Sequence, residues 1–230
     1  MESVERMMAM VPIKKILAHR ANYGTKRAGA VEWIVMHYTA NDGDSGASNG
    51  KYFQQALNPV ASAHYFVDDK SITISVPEDY VAYHCGADKY RHPFCRNYNS
   101  IGIEMCDTKR DGRVMATDRT IANAADLAAM LCERYGLPVS HIIRHYDVTG
   151  KLCPKYWVED PLGIVKFREM VKERVEMVTK AKMIVDGREI EVERILKNGT
   201  NYIKIRDIAK ALDLEVSNKG NVPILNHKGG

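Results

Sequence analysis

The sequence predicts an α/β fold, a central β-sheet layered by helices over about the first 180 residues, followed by a small α+β domain. Three observations predict it. Short β-branched or apolar runs bounded by turn residues recur along the chain, helical patterns fall between them, and both give way to hairpin signals beyond Lys180.

The elements follow in chain order. "MESVERMMAMVPIKK" carries a Met-rich patch, but Glu2 and Glu5 precede it and no small-residue cleavage site follows, so no signal peptide is expected. "VEWIVMHYTA" reads as a strand, and "GASNGKYFQQAL" as a weaker helical pattern. "SAHYFVDD", "SITISVP" and "NSIGIEMC" are strands, the near-continuous apolar runs reading as central ones covered on both faces. Asp118 can cap the helix of "RTIANAADLAAMLCERYG", where Ile121, Ala125, Ala128, Leu131 and Tyr135 share a face and Gly136 stops it before Pro138. "VSHIIRH" is a strand ending in His145. Asp160-Pro161 opens a helix running through Lys180, with Ile164, Phe167, Val171 and Val178 facing inward. Next, Asp186-Gly187 and Asn198-Gly199 mark two hairpins, followed by a short helix, "RDIAKALD", and the strand-like "LEVS" and "VPIL". A boundary near residue 180 leaves an accessory module, residues 181–230, with a thin core.

Composition narrows the function classes. Apolar residues make up 45% and charged residues 27%, which excludes disordered and collagen-like chains. A net charge of +4 suits an anionic wall polymer, as it suits an ordinary mixed-charge surface, but falls short of the Lys/Arg stripe of a nucleic-acid binder. No apolar run reaches the length of a membrane span. Five cysteines, an odd number without a secretion signal, favour reduced thiols.

Chemistry concentrates in a few residues. His37 and His145 each end an apolar run, and Cys153 follows His145 through a Gly-containing turn. Imidazoles and a thiolate suit Zn²⁺, and a catalytic zinc site uses three protein ligands with one position open. Alone, the His-to-Cys spacing carries little, since strand-end histidines are commonly ordinary core residues. Glu104 lies in a strand otherwise too apolar for a carboxylate, so it must be paired, neutral or working. Beside a metal-polarised water it can take and return a proton. Lys151 can hold a positive charge over an oxyanion. A structural ion pair for Glu104 and a solvated loop position for Lys151 are the alternatives.

"IVMHYTA", "SAHYFVDD", "YHCG", "RNYNSIGIEMC" and "RHYDVTGKLCP", in this order, resemble the zinc-dependent N-acetylmuramoyl-L-alanine amidases of the amidase type 2 family, related to phage amidase lysozymes and peptidoglycan recognition proteins. The resemblance covers roughly residues 12 to 175. It implies a central mixed β-sheet flanked by helices, and cleavage of the amide between the lactyl group of N-acetylmuramic acid and L-alanine. It also implies Zn²⁺ held by His37, His145 and Cys153, with Glu104 as acid/base and Lys151 as the lysine before the last ligand. His64, His84 and Asn99 match groove-lining positions. Many bacterial members carry Asp where Cys153 stands. The phage-lysozyme and recognition-protein branches have Cys there and often a catalytic Tyr at the position of Ala63. The proton-transfer role therefore falls to Glu104, with Tyr65 the next candidate. Gly150 is expected to turn the chain so that His145 and Cys153 meet one ion, and Lys151 to ease thiolate formation. "VDGREIEVERILKNGTNYIKIRDIAKALDLEVS" resembles the stalk-type repeat of Firmicutes wall and surface proteins, implying wall binding or self-association.

The expected whole is a phage or prophage endolysin, made in the cytoplasm without a signal peptide and acting on peptidoglycan after release. A non-catalytic peptidoglycan-binding module, a cytosolic muropeptide-recycling amidase, a closed structural zinc site and a Cys–His peptidase using Cys153 remain the alternatives.

Overall fold

The computed structural model describes residues 11–110, 112–176, 179–197, 200–219 and 222–227. In order, the elements are β1 (Ile13–Lys15), β2 (Tyr23–Lys26), β3 (Trp33–Tyr38), α1 (Gly46–Phe53), β4 (Tyr65–Val67), β5 (Ile72–Ile74), β6 (Tyr80–Ala82) and β7 (Ser100–Met105). Next come β8 (Thr108–Arg110), β9 (Arg113–Met115), α2 (Asp118–Tyr135), β10 (Ile142–Arg144), α3 (His145–Thr149), α4 (Lys155–Glu159) and α5 (Leu162–Val175). The last are β11 (Thr179–Val185), β12 (Arg188–Lys197), β13 (Thr200–Ile203), α6 (Ile205–Ala211), β14 (Leu214–Lys219) and β15 (Val222–His227).

Six strands form one sheet in the order β1-β5-β4-β7-β3-β10. Every neighbouring pair is parallel except β4 with β5, so the sheet is mixed. The period-2 alternation of a strand sorts its residues between two unlike faces. On one face Ile34, Met36, Ile101, Ile103, Met105 and Ile142 pack into a single core with Leu127 and Leu131 of α2 and Phe167 and Val171 of α5. The opposite face alternates out of the same strands. Phe66 meets Phe53 of α1 there, and Val35 and Ile143 meet Val148 and the thiols of Cys85 and Cys95. This second covering is thinner, and polar residues have room at the strands' C-terminal ends.

Some boundaries differ from the sequence reading. Thr117, not Asp118, caps α2, its hydroxyl accepting the Thr120 N–H at 3.0 Å. Asp118 instead occupies the first turn, where a carboxylate favours the positive end of the helix dipole. Gly136 ends α2 at φ 65°, as its sequence position suggested. His145 is the first residue of α3 rather than the last of a strand, because the Asp147 carboxylate captures the Arg144 N–H at 2.8 Å and starts a turn. The last long helix stops at Val175, and Lys180 lies in β11. The alternating residues of Thr179–Val185 pair antiparallel with β12, a ladder that outcompetes helix continuation. Val178 and the Asn198-Gly199 turn lie outside the described residues, as does the N-terminal Met-rich patch.

From β11 onward the strands belong to sheets separate from the six-stranded one: β11-β12-β13, and the hairpin β14-β15. Asp186 at φ 49° and Gly187 at φ 73° make the tight turn between β11 and β12, the left-handed pair that an Asp-Gly hairpin requires. Val192 and Ala209 are this segment's buried apolar residues among those described. All five cysteines are buried free thiols. No helix among the described residues is long and apolar enough to cross a membrane.

Candidate metal centre and catalytic cleft

Strand register builds the site. In the parallel pair of β3 and β7, His37 stands opposite Glu104. In the pair of β3 and β10, Met36 stands opposite Arg144, so the next residue, His145, arrives beside His37. Both histidines therefore sit at the carboxyl ends of parallel strands, where open α/β sheets place their ligands. Cys153 arrives by a return of the chain. Gly150 caps α3 at φ 88°, a left-handed conformation that costs a side-chain-bearing residue strain. Beyond it, the Tyr146 N–H donates to the Cys153 carbonyl at 3.0 Å.

One ligand atom from each of His37, His145 and Cys153 falls within 4.8 Å of the others, and all three residues are buried. The His37 Nδ1 is 3.8 Å from the Cys153 Sγ, and the rings of His37 and His145 are 4.7 Å apart. Burial, reinforced by neighbouring positive charge, holds His37 well below the usual imidazole range and His145 at about 3. Both rings are thus neutral and carry a lone pair. Burial also pushes the Cys153 thiol up, the Glu104 carboxyl adds to this, and the Tyr38 N–H and Lys151 only partly oppose it. The expected easing of thiolate formation by Lys151 is real in sign but smaller than desolvation, so a cation must displace the proton itself.

The donor set fits a borderline-soft ion. Two imidazoles and a sulphur match zinc rather than magnesium or calcium. The His145 Nδ1 and Glu104 Oε2 are buried without a hydrogen-bond partner, a costly condition that a cation with its water relieves. Glu104 Oε1 is 3.9 Å from the His37 Nδ1. Burial pushes the Glu104 carboxyl up to about 8, with Asp107 and Asp44 adding to the rise and Lys151 opposing it. A cavity of about 730 Å³ opens over these groups, walled by Tyr38, Asp44, Asn49, Tyr52 and Tyr83, with Lys151 at its exposed rim. Its size suits a ligand of several linked residues.

The structure thus brings His37, His145, Cys153, Glu104, Lys151 and His84 to one cleft. It does not bring His64 or Asn99 there. His64 is fully buried, its Nδ1 accepting the Gly102 N–H at 3.0 Å and its Nε2–H facing the Tyr80 carbonyl at 3.1 Å. Asn99 spends its amide on Glu32 Oε2 at 2.7 Å and the Phe94 carbonyl at 3.2 Å, while its Oδ1 accepts the Arg96 N–H at 2.8 Å. Ala63 is buried, and Tyr65 lies on the helix-covered face with its hydroxyl bonded to Glu78. Burial and the Glu78 carboxylate push that phenol far up, so Tyr65 is no candidate base. Sequence reasoning missed the wall of α1. Tyr52 is 56% exposed, and an aromatic on the solvent side of a helical pattern was the available signal.

The sequence pattern of a protein family described as N-acetylmuramoyl-L-alanine amidase matches residues 27–156, which include His37, His145, Cys153, Glu104 and Lys151. The N-acetylmuramoyl-L-alanine amidase CwlL of Bacillus licheniformis is 40% identical over 200 residues, 82% of this chain and 54% of CwlL. BlyA of Bacillus subtilis strain 168, of the same designation, is 36% identical over 165 residues, 66% of this chain and 44% of BlyA. This chain therefore spans about half the length of the curated relatives it matches. Among solved structures, a mutant endolysin from Bacillus subtilis superposes with a TM-score of 0.58 at 25% identity, covering 70% of this chain and 99% of that one. The PlyG catalytic domain gives 0.57 at 26% identity, covering 71% and 94%.

Proposed function

The chain belongs to the N-acetylmuramoyl-L-alanine amidase family, and on that premise we propose that it hydrolyses the amide joining the lactyl group of N-acetylmuramic acid to L-alanine in peptidoglycan. One observation carries the reading. Two neutral imidazoles, a thiol and a buried carboxyl converge on one open cleft at the strand ends.

His37, His145 and Cys153 would hold one Zn²⁺. When bound, the ion supplies Lewis acidity, polarising the scissile carbonyl and making a water acidic. Glu104, with Oε1 beside the His37 Nδ1, takes the proton of the attacking water and returns it to the leaving L-alanine amine. Its raised affinity for a proton suits the return to the amine, and beside a bound cation it would be the carboxylate that the first step needs. Lys151, at the rim, places positive charge against the oxygen that becomes negative. Cys153 is a poor nucleophile, because burial keeps its thiol protonated, which argues against the Cys–His peptidase.

The likeness to an endolysin from Bacillus subtilis supports a lytic role on the wall, which we read as that of a phage or prophage enzyme. The segment from residue 181 onward is read as a separable accessory domain that binds wall or self-associates. Mass spectrometry of purified peptidoglycan after digestion tests the central claim. Free L-alanine amines with intact glycan chains are expected. New reducing sugar ends, or cleavage within the stem peptide, would overturn it.

A further inference from the structure

The face of β7 that bears Glu104 also bears Gly102 and Ser100, two and four residues earlier. Over Gly102 lies the His84 ring, so close that a Cβ at Gly102 would stand 2.6 Å from its Cγ. His84 reaches Ser100 Oγ with its Nε2 at 3.1 Å and His37 Nε2 with its Nδ1 at 3.0 Å. Ser100 Oγ is in turn 2.6 Å from the Arg96 carbonyl oxygen. Neither of His84's ring nitrogens is free for a groove ligand.

The direction of these bonds follows from counting protons. A carbonyl oxygen cannot donate, so at 2.6 Å the single hydroxyl proton of Ser100 must lie on the Arg96 side. Ser100 Oγ can then only accept from His84, which places a proton on His84 Nε2. His37 can offer its Nδ1 to a cation only with its own proton on Nε2, so across the 3.0 Å contact His84 Nδ1 is the acceptor of His37 Nε2–H. His37 is left with its lone pair on Nδ1, the atom that faces Cys153 Sγ and Glu104 Oε1.

We propose that His84, anchored by Ser100 and the Arg96 carbonyl, is a positioning residue that locks His37 in the Nε2–H tautomer and aims its Nδ1 lone pair into the His37–His145–Cys153 cluster. The inference rests on the reading of that cluster as a metal site. It differs from a groove-lining role, in which His84 would touch substrate. A partner that fixes the tautomer and orientation of a metal-binding imidazole is commonly worth about 10–100-fold in metal affinity.

The test starts with the metal-free full-length protein. Long-range ¹H–¹⁵N correlation of labelled histidines should show His37 protonated at Nε2 with a bare Nδ1, and His84 protonated at Nε2. His84→Phe keeps ring bulk but offers no acceptor, so His37 should populate the Nδ1–H form. Zn²⁺ affinity, measured by competition with a chromophoric chelator, should fall about 10–100-fold. His84→Asn presents an amide oxygen near the lost Nδ1 and should recover most of that loss. Ser100→Ala should release the His84 tautomer and weaken Zn²⁺ binding by a smaller factor. Wild-type His37 protonated at Nδ1 would overturn the proposal, as would a folded His84→Phe protein with unchanged tautomer and affinity. If His84→Phe does not fold, an unchanged His84 tautomer and affinity in Ser100→Ala overturns it instead. The functional reading fails separately, on a wild-type protein that has the expected tautomers and binds Zn²⁺ but leaves peptidoglycan uncut.

Discussion

Replacing Glu104 by Gln keeps the shape of a mostly buried side chain while removing its capacity to ionise. Its carboxyl is raised from 4.5 to about 8 in the metal-free protein, chiefly by burial. The sign follows from proton counting. Between those values the native state holds a proton that the unfolded chain releases, so stability is highest below 4.5 and is lost as pH rises towards 8. At about 1.36 kcal/mol per pH unit, ionisation favours the unfolded chain by about 3 kcal/mol at pH 7 and by about 1 kcal/mol at pH 5. Gln does not titrate, so metal-free Glu104→Gln should gain about 2 kcal/mol on wild type between pH 5 and pH 7. In a chain of this size that widens the Tm gap by roughly 4–8 °C. The Gln amide adds buried N–H groups that offset a constant part at both pH values, and the widening survives this. Zn²⁺ should narrow the gap, since a cation favours the wild-type carboxylate. Turnover on soluble muropeptides should drop by roughly 10²–10⁴-fold with zinc content unchanged. Tm at two pH values, zinc content and turnover, all on one preparation, decide the matter. A zinc-loaded Glu104→Gln protein with wild-type turnover would refute the assignment. A loss of stability equal at both pH values would mark Glu104 as a structural partner instead.

Metal analysis of purified protein should find about one zinc per chain, lost in Cys153→Ala. Cys153→Asp, which supplies an oxygen donor at the same place, should keep part of the activity, and full activity in a zinc-free preparation would contradict the metal assignment. Tyr65→Phe should leave turnover unchanged and lower stability by about 1 kcal/mol, the usual worth of a hydrogen bond; a large fall in turnover at unchanged Tm would return Tyr65 to the mechanism. A chain ending near residue 180 should still cut soluble muropeptides but act more slowly on intact cells, and a folded truncation without soluble activity would contradict the separable accessory domain.

The sequence alone determined the α/β alternation, the central strands apart from β1 and the identity of the candidate reactive side chains. Those signals are local, since an imidazole or carboxylate that interrupts an apolar run stands out whatever the fold. His37, Glu104 and His145 were visible in this way, and the family resemblance joined them to Cys153. The Asp186-Gly187 hairpin was legible because its left-handed backbone needs those residue types. The end of the last long helix was not, because its stop at Val175 depends on β11 pairing with a strand further along the chain. Nor were the fates of His64, Asn99 and Tyr65. Each sits in a promising motif, yet burial commits His64 to the Gly102 and Tyr80 backbone, Asn99 to Glu32 and Tyr65 to Glu78. Only the tertiary structure set Glu104 opposite His37 and laid His84 between Ser100 and His37. Such pairings depend on strand register and loop paths, which close contacts between residues 47 positions apart, as for His37 and His84, and 67 apart, as for His37 and Glu104. Burial then sets which nitrogen is bare and which carboxyl is protonated, because the cost of desolvating a charge is fixed by neighbours that no local pattern can name.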